Sequence, residues 1–300
     1  MVFTPHTEAE RQQMLEAVGV GNLEDLFADI PERHRYPHLE LPPPLSEMEV
    51  MAELQTLAGA NLDTLDTPTF LGAGAYRHWI PSVVDYVIGR GEFATAYTPY
   101  QAEVSQGTLQ AIFEYQSLIC DLTGMDVANA SHYDGATATA EAVIQAYNVF
   151  RKKRRKVVIA PTVHPHYRDV VRTYTQGMDL VIAGDVSLDT TPADLAALVD
   201  ETTACVIVQS PNFLGQIEDL ETLAAAVRSR DPRTLLAVIT NPLSLGLLRP
   251  PGAYGADIVL GDGQPLGLGL NYGGPSLGFY ATRMDHVRQM AERVVGETVD

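Results

Sequence analysis

Apolar and polar positions along this chain recur in two registers. From about residue 60, apolar residues three and four apart predict helices over about 80–90, 106–122, 137–150, 166–177, 192–199 and 218–229. In the second half these alternate with short, almost wholly apolar runs at 157–161, 180–184, 205–210, 235–240 and 257–261, which read as strands buried on both faces. Such alternation predicts βαβ units and an α/β domain built on a mainly parallel, doubly wound sheet. Ligands of such sheets gather at the carboxyl ends of the strands. Candidate chemistry is therefore sought in 162–167, 210–215, 241–246 and 262–269.

The first 60 residues have a different texture. Thr7 with Glu10, and Ser46 with Glu49, match the capping box that opens a helix. Between them Pro31 to Leu45 carries five prolines, which predicts an extended strap. The expected organisation is an N-terminal arm of short helices and Pro-rich strap (1–60) followed by one large domain (61–300), with a last helix-like stretch at 285–295. The strap lies either on the chain's own body or around a neighbouring subunit.

Composition narrows the function classes. Twenty Lys plus Arg stand against 38 Asp plus Glu, a net charge of −18, which repels nucleic acid and anionic membrane. No stretch approaches 18 apolar residues, and the N-terminus lacks a signal-like pattern. Both cysteines, Cys120 and Cys205, sit in apolar runs, as buried thiols of a reducing compartment do. A cytoplasmic location is expected. The only lysines, Lys152, Lys153 and Lys156, fall within one basic hexamer, Arg151 to Lys156, so any chemistry that needs an amine must find it there. The hexamer either docks an acidic carrier or is a solvated helix end.

Several strand-end residues carry candidate chemistry. His164 can stack on a planar cofactor ring, act as acid or base, or simply open a helix; with His166 it lacks the further ligands of a metal site, and no metal is expected. Asn212 can offer its amide to a ring substituent or form an Asx turn. Gly135 and Thr137 open a helix as a phosphate seat does, although Asp134 competes for the same N–H groups. A Walker A loop and GxGxxG are both missing, since Gly72 and Gly74 are followed by Arg77 where the third glycine belongs. The segment 97–107 packs two phenols, two amides and two hydroxyls into 11 residues, the composition of a small-molecule pocket or a subunit seam.

Four stretches together carry a family resemblance: YTPYQAEVSQG (97–107), ICDLTGMDVANAS (119–131), DGATATAEA (134–142) and ADIVLGDGQPLGLGLNYGGPSLGF (256–279). In this order they resemble the N-terminal half, or separate first subunit, of glycine decarboxylase, the P-protein of the glycine cleavage system. The resemblance implies the fold type I, aspartate-aminotransferase-like architecture of pyridoxal-phosphate-dependent transferases. It also implies decarboxylation of glycine with passage of the aminomethyl group to the lipoyl arm of H-protein. That chemistry needs a Schiff-base lysine, and by the resemblance Gln264 occupies its position. Asn241 likewise stands where a carboxylate pairing with the pyridine nitrogen is expected.

By this resemblance the chain has no catalytic residue of its own and is inactive alone. Gly135, Thr137, His164, Asn212, Asn241 and Gln264 are vestigial cofactor-pocket positions, and the cofactor rests on a homologous lysine-bearing subunit 2 in an α2β2 heterotetramer. Tyr97, Thr98, Tyr100 and Gln101 are the candidates to reach across the subunit seam. The family's C-terminal small domain is not expected within these 300 residues. Two other readings stand beside this one. One is a non-catalytic scaffold or regulatory protein of the same fold; the other is a lysine-independent enzyme using His164 and Asp134 as acid and base.

Overall fold

The computed structural model describes residues 5–63, 67–68, 70, 76–94 and 106–297, and the chain divides into two units, Met1–Thr67 and Pro68–Asp300. In the first unit, helices α1 (Glu8–Val18) and α2 (Glu47–Gly59) open on the two expected capping boxes. The Glu10 carboxylate accepts the Thr7 N–H at 2.7 Å, and the Glu49 carboxylate accepts that of Ser46 at 2.8 Å. These bonds hold both carboxyls below their ordinary range. The stretch between the helices makes 3-10 turns at Glu24–Phe27 and Glu32–His34, and the proline-rich run that follows has no regular structure. Helix α2 buries none of its residues, and Met48, Met51, Leu54 and Leu57 stand exposed along it.

The second unit is built in chain order from α3 (Ser82–Ile88), α4 (Gln106–Thr123), β1 (Val127–Ala128), α5 (Gly135–Val149), β2 (Lys156–Ile159), α6 (Pro165–Thr175), β3 (Val181–Ala183), α7 (Pro192–Ala197), β4 (Thr203–Gln209), α8 (Leu220–Arg230), β5 (Leu235–Ile239), β6 (Ile258–Asp262) and β7 (Gly278–Thr282). Among the described residues these strands form one sheet in the order β1-β7-β6-β5-β4-β2-β3. The five strands β2 to β6 run parallel, whereas β7 returns antiparallel between β6 and β1. Their apolar runs are buried because helices cover the sheet. Every residue of β5 and β7 is buried, and the core is continuous through Val157, Ile207, Leu236, Ile258 and Phe279. Each such side chain contributes roughly 1.5–3 kcal/mol when fully withdrawn from water. Helix α5 packs on β6, β7 and α6, and its Ala138, Ala142, Val143 and Ala146 are fully buried in the core.

The structure departs from the sequence expectation in three places. Strands β1 and β7 were not signalled, because one is two residues long and the other is a brief return from a Gly-rich loop with no readable period. The stretch 285–295 forms a 3-10 turn at Met284–Gln289 and then runs irregularly. Its backbone groups are taken by other partners: Gln116 exchanges two hydrogen bonds with Val295 at 2.8 and 2.9 Å, Asn129 donates to the Ala291 carbonyl, and Ala130 N–H to that of Arg293. The basic hexamer is only partly solvated, since Arg154 turns inward onto Asp231, Arg155 reaches Asp179 at 2.5 Å, and Lys156 pairs with Asp200.

Candidate functional site

Strands β6, β5, β4 and β2 are neighbours and parallel, so their carboxyl ends line one edge of the sheet, and the start of α5 meets that edge at the end of β6. Asp134 is the N-cap of α5. Its Oδ1 accepts the Thr137 N–H at 2.7 Å, and the Thr137 hydroxyl accepts the Asp134 N–H at 3.2 Å, closing a capping box. From the strand side, Asp262 Oδ2 accepts the Gly135 N–H at 3.3 Å. The same carboxylate accepts the Gln264 N–H at 2.9 Å and the Ser276 hydroxyl at 2.9 and 3.0 Å. One side chain thus ties the helix start, the turn after β6 and the loop before β7.

Glycine is required at 135 by this convergence. A Cβ there would stand 2.4 Å from the Tyr167 hydroxyl and 2.9 Å from the Asp262 nitrogen. Tyr167 sits over the helix start and is largely buried; burial, then the charges of Asp262 and Asp134, push its phenol pKa well above the ordinary value and keep it neutral. Gly278 is equally constrained, because a Cβ would fall 2.3 Å from the Asp134 carbonyl oxygen.

The strand-end residues are held by their own loops. His164 caps α6, its Nδ1 accepting the His166 N–H at 3.1 Å, and its ring packs edge-on against Phe213 at 4.9 Å and tilted against Tyr167 at 5.1 Å. Asn212 is buried. Its Oδ1 accepts the Leu214 and Gln216 N–H groups at 3.0 Å, and its amide donates to Glu218 at 2.6 Å and Gln216 at 3.2 Å. Asn241 is exposed and caps the 3-10 turn Pro242–Gly246 by accepting the Leu243 N–H at 3.0 Å. That turn packs on the one containing Gln264. Gln264 is buried, and its Nε2 donates to the Leu268 carbonyl at 2.7 Å, so its carboxamide closes its own turn.

Gly135, Thr137 and Gln264 therefore meet around Asp134 and Asp262, and His164 joins them through Tyr167. Asn212 braces the neighbouring loop, and Asn241 lies at the rim. Tyr97, Thr98, Tyr100 and Gln101 lie outside the described residues. Sequence reasoning did not single out Asp262 or Ser276. The available signal was a carboxylate ending an apolar strand directly before Gly263, the position from which a side chain reaches a facing helix start.

Pyridoxal phosphate does not suit this set of residues. A phosphate ester needs free N–H donors at the start of α5, and two carboxylates hold the Gly135 and Thr137 donors. Position 264 has no amine, and position 241 no carboxylate. The three lysines stand at the opposite edge of the sheet, Lys156 being the first residue of β2. Among the described residues no cluster of His, Cys, Asp and Glu suits a metal ion, and no helix is long and apolar enough to cross a membrane.

Comparison with known proteins gives a consistent answer. The family model described as "Glycine cleavage system P-protein" matches residues 1–300. The chain is 53% identical to the probable glycine dehydrogenase (decarboxylating) subunit 1 of Thermomicrobium roseum, covering 100% of this chain and 67% of that protein. It is 49% identical to the subunit of the same name from Geobacillus kaustophilus, covering 99% of this chain and 66% of the other. The chain thus spans about two thirds of the length of these curated relatives. An inhibitor-bound crystal structure of glycine decarboxylase (P-protein) superposes with a TM-score of 0.87 at 48% identity, over 100% of this chain and 67% of that one. An aspartate aminotransferase from Thermus thermophilus, 15% identical over 72% of this chain and 57% of its own, shares the fold alone at a TM-score of 0.50.

Proposed function

Because the chain belongs to the glycine cleavage system P-protein family and has the fold of type I pyridoxal-phosphate-dependent enzymes, we propose that it is subunit 1 of a two-subunit glycine decarboxylase. On this reading it is active only beside a homologous, lysine-bearing subunit 2, in an α2β2 assembly that acts on glycine and the lipoylated H-protein. The observation that carries the reading is the side chain at 264. Its carboxamide is buried and spent on the Leu268 carbonyl, and by the family resemblance this is the position where the chemistry needs an amine. A carboxamide cannot form a Schiff base, and the lysines at the far edge of the sheet cannot replace it.

Pyridoxal phosphate, held by the partner, supplies the electron sink for loss of carbon dioxide from glycine. This chain supplies surface and shape. Tyr97, Thr98, Tyr100 and Gln101 reach across the seam, where a phenol O–H donates to the glycine carboxylate or the cofactor phosphate. The N-terminal arm embraces the partner, a role supported by the exposed apolar side chains of α2 and of the strap residues Leu39 and Leu41. Gly135, Thr137, His164, Asn212, Asn241 and Gln264 form a vestigial counterpart of the partner's pocket. The setting is the cytoplasm, which accords with two free cysteines.

Glycine-dependent exchange of labelled carbon dioxide, assayed with H-protein, tests the reading. Activity is expected only when this chain is mixed with the lysine-bearing subunit. Full exchange by this chain alone overturns the proposal.

A further inference from the structure

At the end of β6 the helix start that could seat an anion is largely occupied from within. Of the groups a phosphate would use at the start of α5, the Gly135 N–H donates to Asp262, the Thr137 N–H donates to Asp134, and the Thr137 hydroxyl hydrogen-bonds Asp134 at 3.0 Å. The Tyr167 hydroxyl occupies the space above Gly135. Asp262 also holds the Ser276 hydroxyl, and the Gly263 N–H donates to the Leu277 carbonyl at 2.6 Å, so the two ends of the loop from Gly263 to Leu277 are fastened to one another through the residue that meets the helix start.

We propose that Asp134 and Asp262 together turn the phosphate seat into an anion-excluding clamp, which bars phosphorylated cofactors from this chain by occupancy and charge while fixing the 263–277 loop without any ligand. The proposal deepens the reading of the chain as the cofactor-free subunit and rests on it. It adds a second barrier, independent of the missing amine. A helix start normally favours an anion, and here that favourable field is already answered by the chain's own carboxylates. A dianionic ester would have to displace two hydrogen-bonded carboxylates and then lie beside their negative charge.

The test uses the full chain and ligands that cannot react with lysine: inorganic phosphate, pyridoxine phosphate and pyridoxine. Asp134→Asn with Asp262→Asn removes both charges while keeping hydrogen-bond acceptors, and asparagine caps helices as well as aspartate does. Equilibrium dialysis is expected to show a gain of about tenfold or more in affinity for phosphate and pyridoxine phosphate, with none for pyridoxine. The melting temperature of the variant is expected to rise with phosphate, and that of the original chain to stay constant. If the double variant fails to fold, each single variant is read separately, and each is expected to gain part of the effect. Phosphate binding by the original chain as tight as by the variants, or no gain in any folded variant, overturns the proposal. Such a failure would leave the subunit reading standing, because carbon dioxide exchange by the mixed subunits is measured independently.

Discussion

The Arg154 guanidinium is paired with the Asp231 carboxylate in the interior, and the same guanidinium donates to the Thr203 carbonyl at 2.8 Å. This pair fastens the loop before β2 to the turn before β5 at the amino edge of the sheet. Removing one partner of a buried pair leaves a charge uncompensated. Asp231→Ala is therefore expected to lower stability by about 3–5 kcal/mol, measured as the shift in a denaturant midpoint. A change within a few tenths of a kcal/mol would mean that Arg154 finds another partner or water.

Acid sensitivity is expected in two stages. Burial holds the His132 pKa below its ordinary 6.5, so the native state resists protonation that the unfolded chain accepts. Stability present above pH 6.5 is therefore lost as pH falls towards the lowered native value. For Asp231 burial acts to raise the pKa, but the Arg154 hydrogen bond and charge outweigh it and the net value lies below 3.8. Its contribution is complete above about pH 4 and is lost below that. Melting temperature followed from pH 8 to pH 2 should show both stages, and His132→Gln should remove the first alone.

Gly135→Ala is expected to cost about 1–3 kcal/mol, because the added methyl meets the Tyr167 hydroxyl and the Asp262 nitrogen. Combining it with Tyr167→Phe should recover part of the loss and not all, since the backbone nitrogen at 2.9 Å remains. Full recovery in the double variant would place the conflict at the phenol alone. Urea denaturation of the three variants decides.

The two thiols should differ in reactivity. Burial pushes the Cys205 thiol up to about 12, whereas Cys120 is only half buried and its pKa is raised less. A thiol reagent at pH 8 is expected to modify Cys120 slowly and Cys205 only after unfolding. Equal rates at both sites in the native chain would contradict the packing of β4.

Tyr97→Ala and Tyr100→Ala are expected to reduce turnover of the assembled complex by about tenfold or more if their phenols cross the seam, the size of one lost charge-assisted hydrogen bond. Unchanged turnover, with assembly intact by light scattering, would leave this chain a scaffolding role only.

Much of this was legible in the residues. The buried parallel strands announced themselves as apolar runs, and the capping boxes at Thr7 and Ser46 as short local patterns, because each depends on neighbours in sequence. Asp134 could be read as a competitor for the α5 donors for the same reason. Asp262 could not, since its role comes from meeting Gly135 across 127 positions of chain. The irregular course of 290–297 was also hidden, because Gln116, Asn129 and Ala130 claim backbone groups that a helix would have used. Tyr97, Thr98, Tyr100 and Gln101 were legible as unusual chemistry only, and they lie outside the described residues.

The most direct test of the account is to reduce the assembled complex with borohydride in the presence of pyridoxal phosphate and map the labelled peptides by mass spectrometry. The expected result is one pyridoxyl group per partner subunit, on a lysine of that subunit, and none on Lys152, Lys153 or Lys156. Stoichiometric label on this chain would contradict the division of labour that Gln264 implies.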